Sequence, residues 1–221
     1  MNRKIYHIIF LLTGFVILSS KSCEPDVDFD KEAWLIAEQD TIRSEIKEDF
    51  KSEYLWGDRL MVYGEKAKQK LLDFADYLSL YSGKNIDTLF KQQVRDMLYR
   101  LFYEKDALVE LSVAPTNITG KKPANLNDLL GRIDASNYQS VVFAVSDLKT
   151  LEPLHMESPE RYTGMLGCTI TIFGITASDT ILLNETLNTV KILTTRTKKQ
   201  FGTGASIQIW QVFLHEVDAT E

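Results

Sequence analysis

The sequence predicts an α+β fold, with N-terminal amphipathic helices packed on a mostly antiparallel, curved C-terminal β-sheet. Three observations carry that expectation. Apolar residues recur every three or four positions through the first half of the chain. The period shortens toward two in the second half, and the chain closes in long β-rich runs separated by short polar turns. With 221 residues, 44% of them hydrophobic and 10% aromatic, the chain can bury a core without disulfide staples.

Between Lys31 and Phe50, the residues Leu35, Ile42, Ile46 and Phe50 share one helical face. From Asp58 to Ser82 the series Leu60, Gly64, Ala67, Leu71, Phe74, Leu78 and Tyr81 steps by three or four, and Gly83 follows as the expected stop. A third run, Ile86 to Phe102, puts Phe90, Val94, Met97, Leu98 and Leu101 on one stripe. Leu108–Val113 then reads as a strand ended by Pro115. A polar loop covers Thr116 to Pro123, and Asn125 is placed to cap a short helix through Ile133. Val141–Val145 is the next strand, followed by a loop with Pro153 and Pro159.

Three long strands complete the chain, at about Tyr162–Ile175, Thr180–Arg196 and Ala205–Val217. In the last, Ser206, Gln208, Trp210, Val212 and Leu214 share one face, and Ile207, Ile209, Phe213 and Val217 the other. Gly202-Thr203-Gly204 reads as a hairpin turn, because no P-loop lysine and no strand-to-helix context accompanies it. Residues 31–221 are therefore expected to form one α+β domain, with a helical half over 31–105 and a sheet half over 106–218.

Chemistry-bearing residues are sparse. No HExxH, CxxC, calcium-loop or GxSxG pattern occurs, and no metal or other cofactor is expected. His155 has Glu152 and Glu157 close in sequence, while His215 shares strand parity with Ile207, Ile209 and Phe213. Glu104/Asp106 and Glu157/Glu160 read as solvated charges rather than as catalytic pairs. Cys168 lies in the apolar run Met165–Ile170 and reads as a buried thiol. Trp210, Gln211 and His215 are the candidate residues of a pocket between sheet and helices, although parity sets Trp210 opposite the other two. A formal charge of −6 weighs against nucleic-acid binding.

The N-terminus is the most informative segment. Met1-Asn2-Arg3-Lys4 is followed by a 14-residue apolar run, Ile5–Leu18, then by Ser19-Ser20-Lys21-Ser22 and Cys23. Positive start, short apolar middle and small-residue end make a secretory signal over residues 1–22. The run is shorter than the roughly 20 residues that span a bilayer. Cys23 after Ser22 resembles the lipobox of Gram-negative bacterial lipoproteins, from which Lys21 and Ser20 depart. The resemblance implies cleavage before Cys23, palmitate-type acyl chains on it, and a place in the cell envelope at the outer membrane. An uncleaved anchor and simple secretion are the other readings of the same segment.

Residues 23–30, Cys-Glu-Pro-Asp-Val-Asp-Phe-Asp, read as an acidic tether. They also resemble the surface-export signal of lipoproteins in one phylum of gut and oral Gram-negative bacteria. Cleavage removes Arg3, Lys4 and Lys21 and no acid, leaving 22 basic against 31 acidic residues, a formal −9. Asp40-Thr41-Ile42, Asp87-Thr88-Leu89 and Asp179-Thr180-Ile181 resemble the acceptor of a general O-glycosylation system in that same phylum. From Asp58 to Val217, the order of elements alone resembles the nuclear transport factor two-like, or cystatin-like, superfamily.

The functional expectation is a non-enzymatic, membrane-anchored envelope lipoprotein. It would contact protein partners as an accessory subunit of a secretion or surface-assembly complex. The alternative is a ligand-binding or weakly enzymatic module.

Overall fold

A 24-residue helix, α1 (Asp58–Tyr81), organises the computed structural model, which describes residues 54–113, 125–201 and 205–219. The chain divides into two units, residues 1–48 and 49–221, and every described residue belongs to the second. The helix expected over 31–50, most of the loop of 116–123 and the turn at Gly202–Gly204 fall outside the described residues.

α1 buries Tyr63, Ala67, Leu71, Phe74, Leu78 and Tyr81 along the predicted stripe. It starts after Gly57, whose φ of 54° and ψ of −129° suit only a residue without Cβ. Gly83 makes no left-handed stop, since Gly57 is the one described glycine with positive φ. The chain instead leaves the helix at Ser82, whose hydroxyl is committed to the sheet.

α2 (Thr88–Leu101) begins at Asp87, whose carboxylate accepts from the amides of Leu89 at 2.8 Å and Phe90 at 3.2 Å. It buries Val94, Leu98 and Leu101 but leaves Phe90 and Met97 exposed, so the buried stripe is narrower than predicted. α3 (Leu126–Ala135) is capped as expected, with the Asn125 side chain accepting from Asp128 N. Asp134 ties the three helices together. It accepts from Tyr81 Oη at 2.7 Å and pairs with Lys91 Nζ at 2.6 Å.

The sheet has four strands in sequence order, all antiparallel: β1 (Ser140–Ser158), β2 (Arg161–Ile175), β3 (Thr180–Phe201) and β4 (Ala205–Ala219). β1 runs far beyond Val145 and through Pro153, where the sequence predicts a loop. Four register shifts against β2, and Asp147 at φ 52°, absorb the irregular residues. Pro153 sits on an edge strand between the paired residues Glu152 and His155, so its missing N–H removes no ladder bond. Such bulges bend strands, which gives the sheet its curvature.

Leu108–Val113 is not a strand of this sheet. Among the described residues the segment makes one isolated bridge with β4, Val109 with Val217, and Phe102 at the end of α2 makes another, with Leu214. A turn through Glu104–Asp106 separates the two bridges, so no ladder builds.

A part of each sheet edge is covered, which blunts pairing with other chains there. On β4, Leu214 O accepts from Tyr103 N, and Val217 exchanges bonds with Glu110 N and Leu108 O. On β1, Ser82 Oγ accepts from Val141 N and donates to Val141 O, each at 2.8 Å, and Ser79 Oγ accepts from Phe143 N at 2.9 Å.

The helices cover one sheet face, burying Val141, Phe143, Leu166, Cys168, Ile170, Ile172, Val190, Ile192, Val212 and Leu214. Tyr162 and Trp210 meet edge to face at 5.3 Å, and Tyr162 Oη accepts from Leu55 N and donates to Leu55 O. Val217 also joins this core, against its predicted parity. β4 carries an extra residue between Leu214, opposite Ile192, and Glu216, opposite Lys191, and this bulge at His215 reverses the alternation.

Thr194 is fully buried in the same face, and its Oγ1 has no hydrogen-bond partner among the described residues. Replacing it with valine removes the unsatisfied group at nearly constant shape. Thr194→Val is expected to leave stability unchanged or raise it by about 1 kcal/mol, read from the urea midpoint at constant m.

Candidate functional site

Two concavities lie on opposite faces of the sheet. The inner one, of about 360 Å³, opens between the first turns of α1 and the sheet. Leu60, Met61 and Gly64 meet Pro153, Leu154, Leu166 and Ile192 there, with Glu65 and Thr150 as its only ionisable or hydroxyl groups. A Cβ built on Gly64 would meet nothing within 4 Å, so this glycine leaves space that a larger side chain would take.

None of the three residues expected in such a pocket lines it. Trp210 faces inward but fills the core against Tyr162. Gln211 faces the other way, and its Oε1 accepts from Thr197 Oγ1 at 3.1 Å. His215 belongs to the outer concavity. The separation of Trp210 from the other two is the one that strand parity predicts.

The outer concavity, of about 330 Å³, gathers polar side chains from all four strands. β1 supplies Glu152, His155 and Glu157; β2 supplies Arg161, Thr163, Gly164 and Met165; β3 supplies Lys191 and Leu193; and β4 supplies His215. Register explains the gathering. His155 pairs with Thr163, Thr163 with Leu193, and Leu193 with Phe213, two residues before His215.

The wall is already internally bonded. His155 Nε2 lies 3.3 Å from Thr163 Oγ1, and His155 Nδ1 lies 3.3 Å from Pro153 O and 3.4 Å from Glu152 Oε1. Arg161 Nε is 3.5 Å from Glu157 Oε2, and the guanidinium stands 5.5 Å above the Tyr103 ring. Lys191 Nζ donates to Glu216 Oε2 at 2.6 Å, a bond that raises the ammonium's pKa. His215 Nδ1 is buried without a hydrogen-bond partner among the described residues.

The cleft holds two imidazoles and two carboxylates, but its only hydroxyl is that of Thr163. Cys168 lies on the opposite face, buried, and burial pushes its thiol up to about 11, so it stays protonated at neutral pH. Among the described residues no group of three or more His, Cys, Asp or Glu is placed to hold a metal ion. Glu104 and Asp106 are exposed on a turn. Glu160 is exposed at the β1–β2 turn, where its backbone carbonyl accepts from Thr195 Oγ1. The Asp218 carboxyl is raised above its ordinary value, first by burial and then by Glu216 and Glu110.

Of the Asp-Thr-aliphatic sites, Thr88 is exposed at the first residue of α2 and Thr180 is exposed at the first residue of β3. Thr41 and Cys23 lie outside the described residues.

No family model and no curated protein matches this chain. Among solved structures it is similar to a scytalone dehydratase-like protein from Novosphingobium aromaticivorans DSM 12444, which has the nuclear transport factor two-like fold. The two share 9% identity at a TM-score of 0.36, over 75% of this chain and 89% of that one.

Proposed function

We propose that the chain is a non-enzymatic envelope lipoprotein, held to the outer membrane by acyl chains on Cys23, whose folded body serves as a protein-interaction or accessory subunit of a secretion or surface-assembly complex. The junction of a short apolar signal with Ser22-Cys23 carries this reading. The body supports it by the apolar surface it leaves uncovered. Trp56 and Leu89, each 75% exposed, together with Met61 and Val62, leave apolar surface at the starts of α1 and α2.

Photo-crosslinking on whole cells from positions 61 and 89 of the full chain tests the partner. A discrete adduct with another envelope protein is expected at native abundance, and adducts of the chain with itself alone would refute the reading. Glycopeptide mapping of the membrane-extracted protein should find sugar on Thr41, Thr88 and Thr180. Bare threonines at all three would remove the modification.

The inner cavity favours a second reading, a module binding an apolar ligand. N-phenyl-1-naphthylamine should then show saturable fluorescence enhancement that Gly64→Leu abolishes, and an unchanged titration would dismiss it. Gly64→Ala, by contrast, only relieves a glycine inside a helix and is expected to add about 0.5–1 kcal/mol of stability in urea titrations.

A further inference from the structure

The outer cleft lies on the sheet face that none of the described helices covers, and the proposed anchoring and partner contacts make no use of it. Its lining has an unusual balance. Arg161 is paired with Glu157 and Lys191 with Glu216, while Glu152 stands 3.4 Å from His155. A bare anion would meet the carboxylates of Glu152 and Glu157, and a bare cation would meet Arg161 and Lys191. Neither sign is selected.

What the wall offers is donors and acceptors in alternation: guanidinium N–H groups beyond the one facing Glu157, carboxylate oxygens, imidazole nitrogens and the Thr163 hydroxyl. A ligand hydroxyl both donates and accepts, so it can join such a network without leaving a charge uncompensated. Met165 and Leu193 add an apolar floor, and Leu193 is almost completely buried although it lies outside the helix-covered core. His215 lines the cleft with the rest of its ring, since its Nδ1 is enclosed and has no hydrogen-bond partner among the described residues. The volume of about 330 Å³ falls at the small end of the roughly 300–1,000 Å³ range of ligand pockets.

We infer that this cleft is a binding site for a small, neutral, hydroxyl-rich ligand, one monosaccharide unit in size. The hydroxyls bond to Thr163 and to the guanidinium of Arg161, and the C–H face of the ring rests on Met165 and Leu193. The site is a binding site only and needs no reaction step.

The test is titration of the full chain with D-glucose, D-galactose and N-acetyl-D-glucosamine, followed by amide ¹H–¹⁵N spectra, with sodium acetate at equal osmolality as the charged probe. At least one sugar should give saturable shifts confined to Thr163, Gly164, Met165, Leu193 and His215. Thr163→Val and Arg161→Gln should each weaken that binding at least tenfold while the remainder of the spectrum stays that of the folded protein. Absence of saturable shifts with all three sugars overturns the inference. So do saturable shifts with acetate at these amides, or sugar shifts that the two variants leave unchanged.

Discussion

Cys23→Ser is expected to move the protein from the membrane pellet to the soluble fraction, at least tenfold by quantitative immunoblot. The reason is that the proposed attachment rests on the acyl chains. Each buried methylene contributes about 0.8 kcal/mol, so one acyl chain binds marginally whereas two or three hold stably. Without them the body carries 22 basic and 31 acidic residues and gains nothing from anionic headgroups. Among the described residues no helix is long and apolar enough to cross a membrane. The competing account keeps Ile5–Leu18 as an uncleaved anchor, and then the serine variant would remain in the pellet with the wild type. A 14-residue helix is about 21 Å long, against a hydrocarbon core of about 30 Å, so that account begins with a mismatch.

The largest stability effect expected from a single small substitution is Ser82→Ala. The Ser82 hydroxyl accepts from Val141 N at the edge of β1 and shares its single hydrogen between Val141 O and Ser79 O, and both bonds to Val141 are buried. Removing it leaves two backbone groups unsatisfied, at about 1–3 kcal/mol each before relaxation, so a loss of about 2–4 kcal/mol is expected. Ser79→Ala removes one partly buried bond, to Phe143 N, and should cost about 1 kcal/mol. Urea denaturation of both variants checks the ordering. Equal midpoints for Ser82→Ala and the wild type would show that β1 does not depend on α1 for its edge.

Much of this architecture was legible in the residues because it rests on local period. The helices at Asp58–Tyr81 and Thr88–Leu101, the Asn125 cap and the last three strands follow from spacing and capping chemistry alone. What escaped was whatever a bulge decides. β1 continues through Pro153 because irregular pairing on an edge strand tolerates a residue without an N–H. Val217 faces the core because one extra residue at His215 reverses the alternation.

The outer cleft escaped for a related reason. His155 and His215 stand 60 positions apart, and they share a cleft only through the registers of three strand pairs. His215 was legible on a strand, but His155 fell in the segment read as a loop around Pro153, so nothing local joined the two. Ser82 was equally opaque, since a serine after a helix reads as a cap and nothing local marks it as the partner of a strand 59 residues away.

The central claim is the lipid on Cys23, and the intact mass of the protein extracted from native membranes tests it most directly. The predicted mass is that of residues 23–221 plus a diacylglyceryl group on Cys23, with or without a third acyl chain on its new amino terminus. A mass that retains residues 1–22, or that corresponds to a cleaved chain with a free Cys23 thiol, would contradict it.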